Sequence, residues 1–286
     1  AGKGGALTVR VGILTHEHRD DAEASATIAH DRLVAAGGEV FYVDEESNLE
    51  GTDLILVIGG DGTILKAAQI AMPYETPILG INFGHVGFLA EADPSSLLDV
   101  VTAIINGEWT VDSRLTIDVT VTHPDGSAET GWALNEASIE KGQDARMIEA
   151  DIGVDGRGLS SFKADAVLLS TPTGSTAYSF SAGGPIVWPD VEALILTPIA
   201  AHALFTRPLV VSKDSTLEVG IRSDDAVVWL DGRRRLYAPE GSRITAVKGK
   251  HPARLARLND TPFSGRLVKK FHLPVEGWRR GAKDQA

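Results

Sequence analysis

The chain has 286 residues, enough to bury a sizeable core and more consistent with two domains than one. Its 43% hydrophobic and 23% charged residues describe a globular composition, and no apolar run approaches the roughly 20 residues of a membrane span. A net charge of −12 argues against a nucleic-acid backbone as main partner, and the lack of cysteine excludes disulfides and thiolate metal sites, in keeping with a cytoplasmic location.

The first hundred residues alternate strand and helix signals. Runs at 10–14 and 39–43 are rich in strand formers, and between them 21–36 is alanine-rich and helical. Asp20 or Asp21 is the expected N-cap of that helix, with Gly37-Gly38 as its stop. Residues 53–58 (Asp-Leu-Ile-Leu-Val-Ile) are almost wholly apolar, as in a strand buried on both faces of a parallel sheet. A helix over 63–72, a strand over 77–81 and a helix over 94–106 follow, the last between Asp93 and Gly107. This is the order of an open, Rossmann-like α/β domain, expected over 1–112.

Beyond Val111 the pattern changes to short alternating runs, beginning with 115–122 and the turn Pro124-Asp125-Gly126. Asp155-Gly156 and Asp231-Gly232 are hairpin signals. Strands are expected at 148–154, 166–169, 194–196, 209–211, 217–221 and 227–230. Residues 113–258 therefore predict an antiparallel β-sandwich-like domain. The remainder, 259–286, predicts a helix over 262–271 returning to the first domain and a frayed tail over 279–286.

Gly59-Gly60-Asp61-Gly62-Thr63 stands where open α/β sheets bind ligands, between a strand and the next helix. Glycines let a phosphate approach the backbone, and the helix N–H groups of Gly62, Thr63 and their neighbours point at it. A carboxylate amid such a loop repels phosphate unless it acts, so Asp61 is a candidate to take a proton from an attacking hydroxyl or to hold Mg²⁺ indirectly. The alternative for Asp61 is a plain helix cap. Lys66, one turn on, can reach a phosphate or be solvated. Neither a P-loop nor a G-x-G-x-x-G fingerprint is present. Arg233-Arg234-Arg235 and Lys269-Lys270 are expected to be solvated faces. His16-x-His18 has a metal-like spacing but lacks a third ligand nearby, so a solvated loop is expected.

With Asp61 set beside Asn82-Phe-Gly84-His-Val-Gly87-Phe-Leu89, Asn135-Glu136, Asp165 and Thr171-Pro-Thr-Gly-Ser-Thr-Ala-Tyr178-Ser-Phe-Ser181, the chain resembles the ATP-NAD kinase family over nearly its whole length. The Gly-Gly-Asp-Gly-Thr motif alone is shared with lipid kinases; the long threonine-serine block is not. The resemblance implies transfer of the terminal phosphoryl group of ATP to the adenosine 2′-hydroxyl of NAD, giving NADP, with inorganic polyphosphate an open alternative donor. It implies Asp61 as general base, with Gly60, Gly62 and Thr63 lining its pocket. Asn135 and Glu136 match the pair that contacts the dinucleotide, the Asn amide suiting an adenine edge. Asp165 is implied near the nicotinamide end, where Ala166 replaces the family's usual Gly. Thr176, Ala177, Tyr178, Ser179 and Ser181 fall in the dinucleotide-facing part of the long block. Arg146 and Lys163 match basic positions near ligand phosphates or carboxamide, and Arg233 stands where some relatives have Gln. Mg²⁺ or another divalent ion is implied to arrive with ATP, and the active site to lie in a cleft between the domains. A homo-oligomer, dimer or tetramer, is implied too. A lipid kinase and a non-catalytic dinucleotide sensor are the rival readings; the acidic charge disfavours the first and an intact Asp61 loop the second.

Overall fold

The computed structural model describes residues 9–16, 19–83, 87–142, 145–204, 206–259 and 261–275. His18, Gly84, His85 and the expected frayed tail lie outside the described residues. The chain forms two compact units, one of residues 1–113 with 254–286 and the other of residues 114–253.

The first unit opens with β1 (Arg10–Thr15), α1 (Asp20–Ala35), β2 (Glu39–Tyr42), β3 (Leu54–Gly59), α2 (Asp61–Ala71) and β4 (Ile78–Asn82). The strands pair in parallel, with β1 between β2 and β3, and β3 beside β4. Every residue of β3 is buried, as its unbroken apolar run requires of a central parallel strand. Full burial of each such side chain stabilises the fold by about 1.5–3 kcal/mol. In α1 the residues Ala22, Ala26, Ala29 and Leu33 recur at helical spacing and form the face buried against the sheet. Its N-cap is Arg19, without a side-chain cap bond; Asp20 and Asp21 instead occupy the first turn, where the helix dipole favours negative charge. The helix expected over 94–106 divides into a 3₁₀ turn at Pro94–Ser96 and α3 (Leu97–Asn106), which ends at Gly107 in the left-handed conformation, φ 68°.

From β5 (Thr110–Arg114) the chain enters the second unit through β6 (Ile117–Thr122), β7 (Ala128–Ala133), β8 (Glu136–Lys141), β9 (Ile148–Val154), β10 (Arg157–Ala164) and β11 (Ala166–Ser170). After the short α4 (Tyr178–Ser181) come β12 (Ala193–Ile199), β13 (Leu209–Ser212), β14 (Leu217–Ser223), β15 (Ala226–Leu230), β16 (Arg234–Ala238) and β17 (Arg243–Lys248). These strands make two six-stranded antiparallel sheets, β10-β9-β14-β17-β6-β7 and β13-β12-β11-β8-β15-β16. Alternate residues of both sheets meet in one core, Val119, Ile152 and Val219 from the first sheet and Ile139, Val167 and Val228 from the second. Both hairpin signals form as expected: Asp155-Gly156 and Asp231-Gly232 have positive φ at both residues, at 54° and 76° and at 52° and 63°.

The chain then returns through β18 (Ala253–Arg257) and α5 (Phe263–Phe271). From the sequence, 253–257 falls within the range assigned to the β domain, but β18 pairs in parallel with β4 and completes the first sheet, β2-β1-β3-β4-β18-β5. The architecture is thus an N-terminal α/β unit on a parallel sheet and an antiparallel β unit, with one C-terminal helix.

Candidate functional site

In the first unit the site is built where β3 meets α2. Gly59 is required by close packing: a Cβ there would lie 2.4 Å from Thr63 Oγ1. Thr63 is correspondingly buried, its side chain filling the turn. Gly60 and Gly62 face open space, with no atom within 4 Å of an added Cβ. Gly60 is the N-cap of α2 and Asp61 the first helical residue, and no side chain caps this helix. The Asp61 carboxylate turns instead to a segment 27 and 28 residues on, accepting N–H bonds from Phe88 at 3.2 Å and Leu89 at 3.3 Å. Gly87 permits that approach, since its Cβ would stand 2.1 Å from Asp61 Oδ1. Asp61 is only part-buried. The plain helix-cap alternative therefore does not describe it. Lys66 lies within 3.7 Å of Glu45.

The second unit assembles Asn135, Glu136 and the long block around a residue that sequence reasoning took only for a turn. Asp231 is buried and accepts N–H bonds from Leu134 at 3.0 Å, Asn135 at 2.7 Å and Glu136 at 3.4 Å. Arg234 closes the group, 3.3 Å from Asp231, donating to the Trp132 carbonyl at 2.8 Å and lying 4.5 Å over the Trp132 ring. The basic cluster 233–235, expected to be a solvated face, thus divides: Arg234 is half-buried in this network, while Arg233 and Arg235 are exposed. Burial raises the Asp231 pKa and lowers that of Arg234. The signal in the sequence was an acid directly after an apolar strand, which turn chemistry alone seemed to explain.

Glu136 projects from the first position of β8 and is buried. Burial first, and then the nearby Asp231 charge, push its carboxyl up to about 8, against the Tyr178 N–H bond that favours the ionised form. Its Oε2 is buried without a hydrogen-bond partner. A protonated carboxyl at this place can donate as well as accept. Asn135 is also buried; its carbonyl accepts the Thr171 N–H at 2.9 Å. Gly174 packs against that carbonyl so closely that a Cβ would lie 2.0 Å from it.

Much of the long block is spent on its own fold. Thr171 Oγ1 donates to the Leu134 carbonyl at 2.5 Å, Ser175 Oγ to the Pro172 carbonyl at 2.6 Å, and the Ser179 hydroxyl meets Thr197 at 2.9 Å. Thr176 and Ala177 are part-buried, and Tyr178 and Ser181 exposed. Burial, followed by the charges of Glu140, Asp165 and Glu136, raises the Tyr178 pKa, so the phenol stays protonated within an acidic cluster. Lys141 bridges Asp165 at 3.0 Å and the Arg146 carbonyl at 3.1 Å, which gathers those two residues. Lys163 stands apart, 3.9 Å from Glu149. Among the described residues no three His, Asp or Glu side chains form a group able to hold a metal ion, and no helix is long and apolar enough to cross a membrane.

Comparison with known proteins follows the same division. Residues 14–109 match the ATP-NAD kinase N-terminal domain and residues 134–258 the ATP-NAD kinase C-terminal domain. A NAD kinase of Thermobifida fusca is 45% identical over 96% of this chain and 92% of its own, and one of Nocardia farcinica 51% identical over 80% and 71%. Among solved structures, a NAD kinase from Archaeoglobus fulgidus in complex with ATP superposes with a TM-score of 0.77 at 31% identity, covering 93% of this chain and 100% of its own. The yeast NADH kinase complexed with NADH shares the fold, with a TM-score of 0.86 at 22% identity over 94% of this chain and 88% of its own. The chain belongs to the ATP-NAD kinase family and is a kinase.

Proposed function

We propose that this kinase transfers the terminal phosphoryl group of ATP to the adenosine 2′-hydroxyl of NAD, giving NADP and ADP, with Asp61 as proton acceptor. The observation that carries the reading is the Asp61 carboxylate, fixed by the N–H groups of Phe88 and Leu89 rather than used as a helix cap, beside the open glycines Gly60 and Gly62. The NAD kinases among its relatives, and the ATP bound to the Archaeoglobus fulgidus neighbour, support the substrate pair. In the proposed step the 2′-oxygen bonds to the terminal phosphorus as its proton passes to Asp61. The bond from that phosphorus to the bridging oxygen breaks, and ADP leaves.

Asn135 and Glu136 hold the dinucleotide in this reading, with Thr176, Ala177, Tyr178, Ser179 and Ser181 beside it. Asp165 serves its nicotinamide end, with Arg146, Lys163 and Arg233 as outer contacts. Gly60, Gly62, Thr63 and Lys66 serve the phosphate side. The donor enters as its Mg²⁺ or other divalent-metal complex, the ion held by phosphate oxygens and water. The protein works in the cytoplasm as a homo-oligomer, dimer or tetramer, a location supported by a chain without cysteine.

The test is a coupled assay of the purified chain with NAD, ATP and Mg²⁺, reading NADP through an NADP-specific dehydrogenase. ATP-dependent NADP formation, most of which Asp61→Asn loses while NAD binding survives, is the expected result. Wild-type turnover in Asp61→Asn would refute Asp61 as the proton acceptor. Polyphosphate in place of ATP, and NADH in place of NAD, are run alongside.

A further inference from the structure

Asp61 is oriented by a stretch of backbone that has little regular structure of its own. Phe88 and Leu89 donate to its two oxygens. The chain rejoins the sheet only at Glu91 and Ala92, whose N–H groups reach the Gly80 carbonyl at 2.8 and 3.3 Å. What holds this stretch comes from the far end of the sequence. The Glu91 carboxylate, its side chain 1% exposed, is met by Arg257 at 3.0 Å and Arg266 at 2.7 Å, and by the Leu258 N–H at 3.2 Å. The same two guanidinium groups donate to the carbonyls that follow the Asp61 donors, Arg257 to Leu89 at 3.3 Å and Arg266 to Ala90 at 2.8 Å. The Phe88 ring lies between Phe263 and Phe271 of α5, with centroids 5.9 and 5.8 Å away.

We propose that Glu91, Arg257 and Arg266 are positioning residues for Asp61, acting through residues 87–90, a proposal that rests on Asp61 being the proton acceptor. Each planar guanidinium joins a buried carboxylate to a backbone carbonyl through two hydrogen bonds in a fixed fork, which lysine reproduces only in part. A buried ion pair is worth keeping only when its remaining groups are also bonded, and here the spare N–H groups fix the peptides next to the reacting carboxylate. Proton transfer demands placement within a fraction of an ångström, and a shift of about 1 Å costs on the order of 100-fold. The sequence separation of 175 residues between Glu91 and Arg266 makes α5 part of the reaction's geometry rather than a passive tail.

The test is Arg266→Ala, alone and combined with Asp61→Asn, with kcat and KM for NAD and ATP measured on the full chain. The expected result is a kcat reduced about 10- to 100-fold with both KM values within about two-fold, partial recovery in Arg266→Lys, and no further loss when Asp61→Asn is already present. An unchanged kcat, or the same fold-loss in both backgrounds, overturns the positioning role. Wild-type turnover of Asp61→Asn alone overturns the proton-acceptor reading and this proposal with it. Should Arg266→Ala fail to fold, Phe271→Leu, which loosens the seat of Phe88 but leaves the ion pairs, is read by the same criteria.

Discussion

Glu136→Gln removes a titration from the interior, and its consequence for stability has a definite sign. The Glu136 carboxyl, ordinarily near 4.5, is pushed up to about 8 by burial and then by Asp231. A group whose pKa is raised by folding contributes its full stability below the unfolded value and loses it as pH rises through the folded value. At about 1.4 kcal/mol per pH unit, the interval amounts to at most about 5 kcal/mol, lost between about pH 5 and pH 8. Glutamine keeps an acceptor for the Tyr178 N–H but never ionises. The wild type should therefore match or exceed the variant near pH 5, fall progressively below it toward pH 8, and run parallel to it above pH 9. Asp231, also raised by burial, contributes a loss in the same direction to both proteins, so the difference between them reports Glu136 together with its coupling to Asp231. Urea unfolding followed by tryptophan fluorescence across this range is the assay. Curves for the two proteins that stay parallel from pH 5 to pH 9 would refute a buried, predominantly protonated Glu136.

Asp231→Ala leaves the buried amides of Leu134 and Asn135 and the part-buried Arg234 without their carboxylate, and should destabilise the protein by about 3–5 kcal/mol in chemical denaturation. Gly87→Ala puts a methyl group where the Asp61 carboxylate lies, so turnover should fall at least about 10-fold while NAD affinity measured by calorimetry holds. Gly174→Ala meets backbone, the Asn135 carbonyl, and should cost about 1–3 kcal/mol in thermal unfolding together with a weaker affinity for NAD. Arg234→Lys retains charge but loses the flat stacking on Trp132; a melting temperature equal to wild type would show that stacking to be without weight.

Where local chemistry dictates local structure, the chain could be read directly. Asp155-Gly156 and Asp231-Gly232 supply the left-handed residues that hairpins need, and the apolar run of β3 requires burial on both faces. Several strands that escaped reading carry polar or charged residues on an open face: β7 contains Glu129 and Thr130, β10 contains Ser160 and Ser161, and β16 contains Arg235 and Tyr237. β8 (Glu136–Lys141) escaped for another reason, because its Glu and Ser stand in a mostly buried strand where polar residues are not expected. β18 was not read as a strand at all, and its residues were left in the range of the β domain, because local composition does not say which sheet a segment will join. At the site, Asp61 was legible as a carboxylate among glycines. Its partners Phe88 and Leu89 act through backbone N–H groups that any residue carries, so no side chain announces them. Asp231 and the Arg257–Glu91–Arg266 group were hidden because their meaning depends on contacts 95 to 175 residues distant.

The sheet order of the first unit imposes a schedule on synthesis. β5 joins that sheet only through β18, so its neighbour in the sheet is a strand that leaves the ribosome about 140 residues after it. At about 5–20 residues per second, β4 offers an open edge and β5 waits unpaired for roughly 7 to 28 seconds while the whole second unit is made. A nascent chain halted before Ala253 would hold a folded β unit attached to an unfinished α/β one, with an exposed apolar strand edge of the kind that chaperones recognise. The returning strand is thus the last to enter its sheet, and a stop codon before Ala253 leaves unfinished a sheet begun at Arg10.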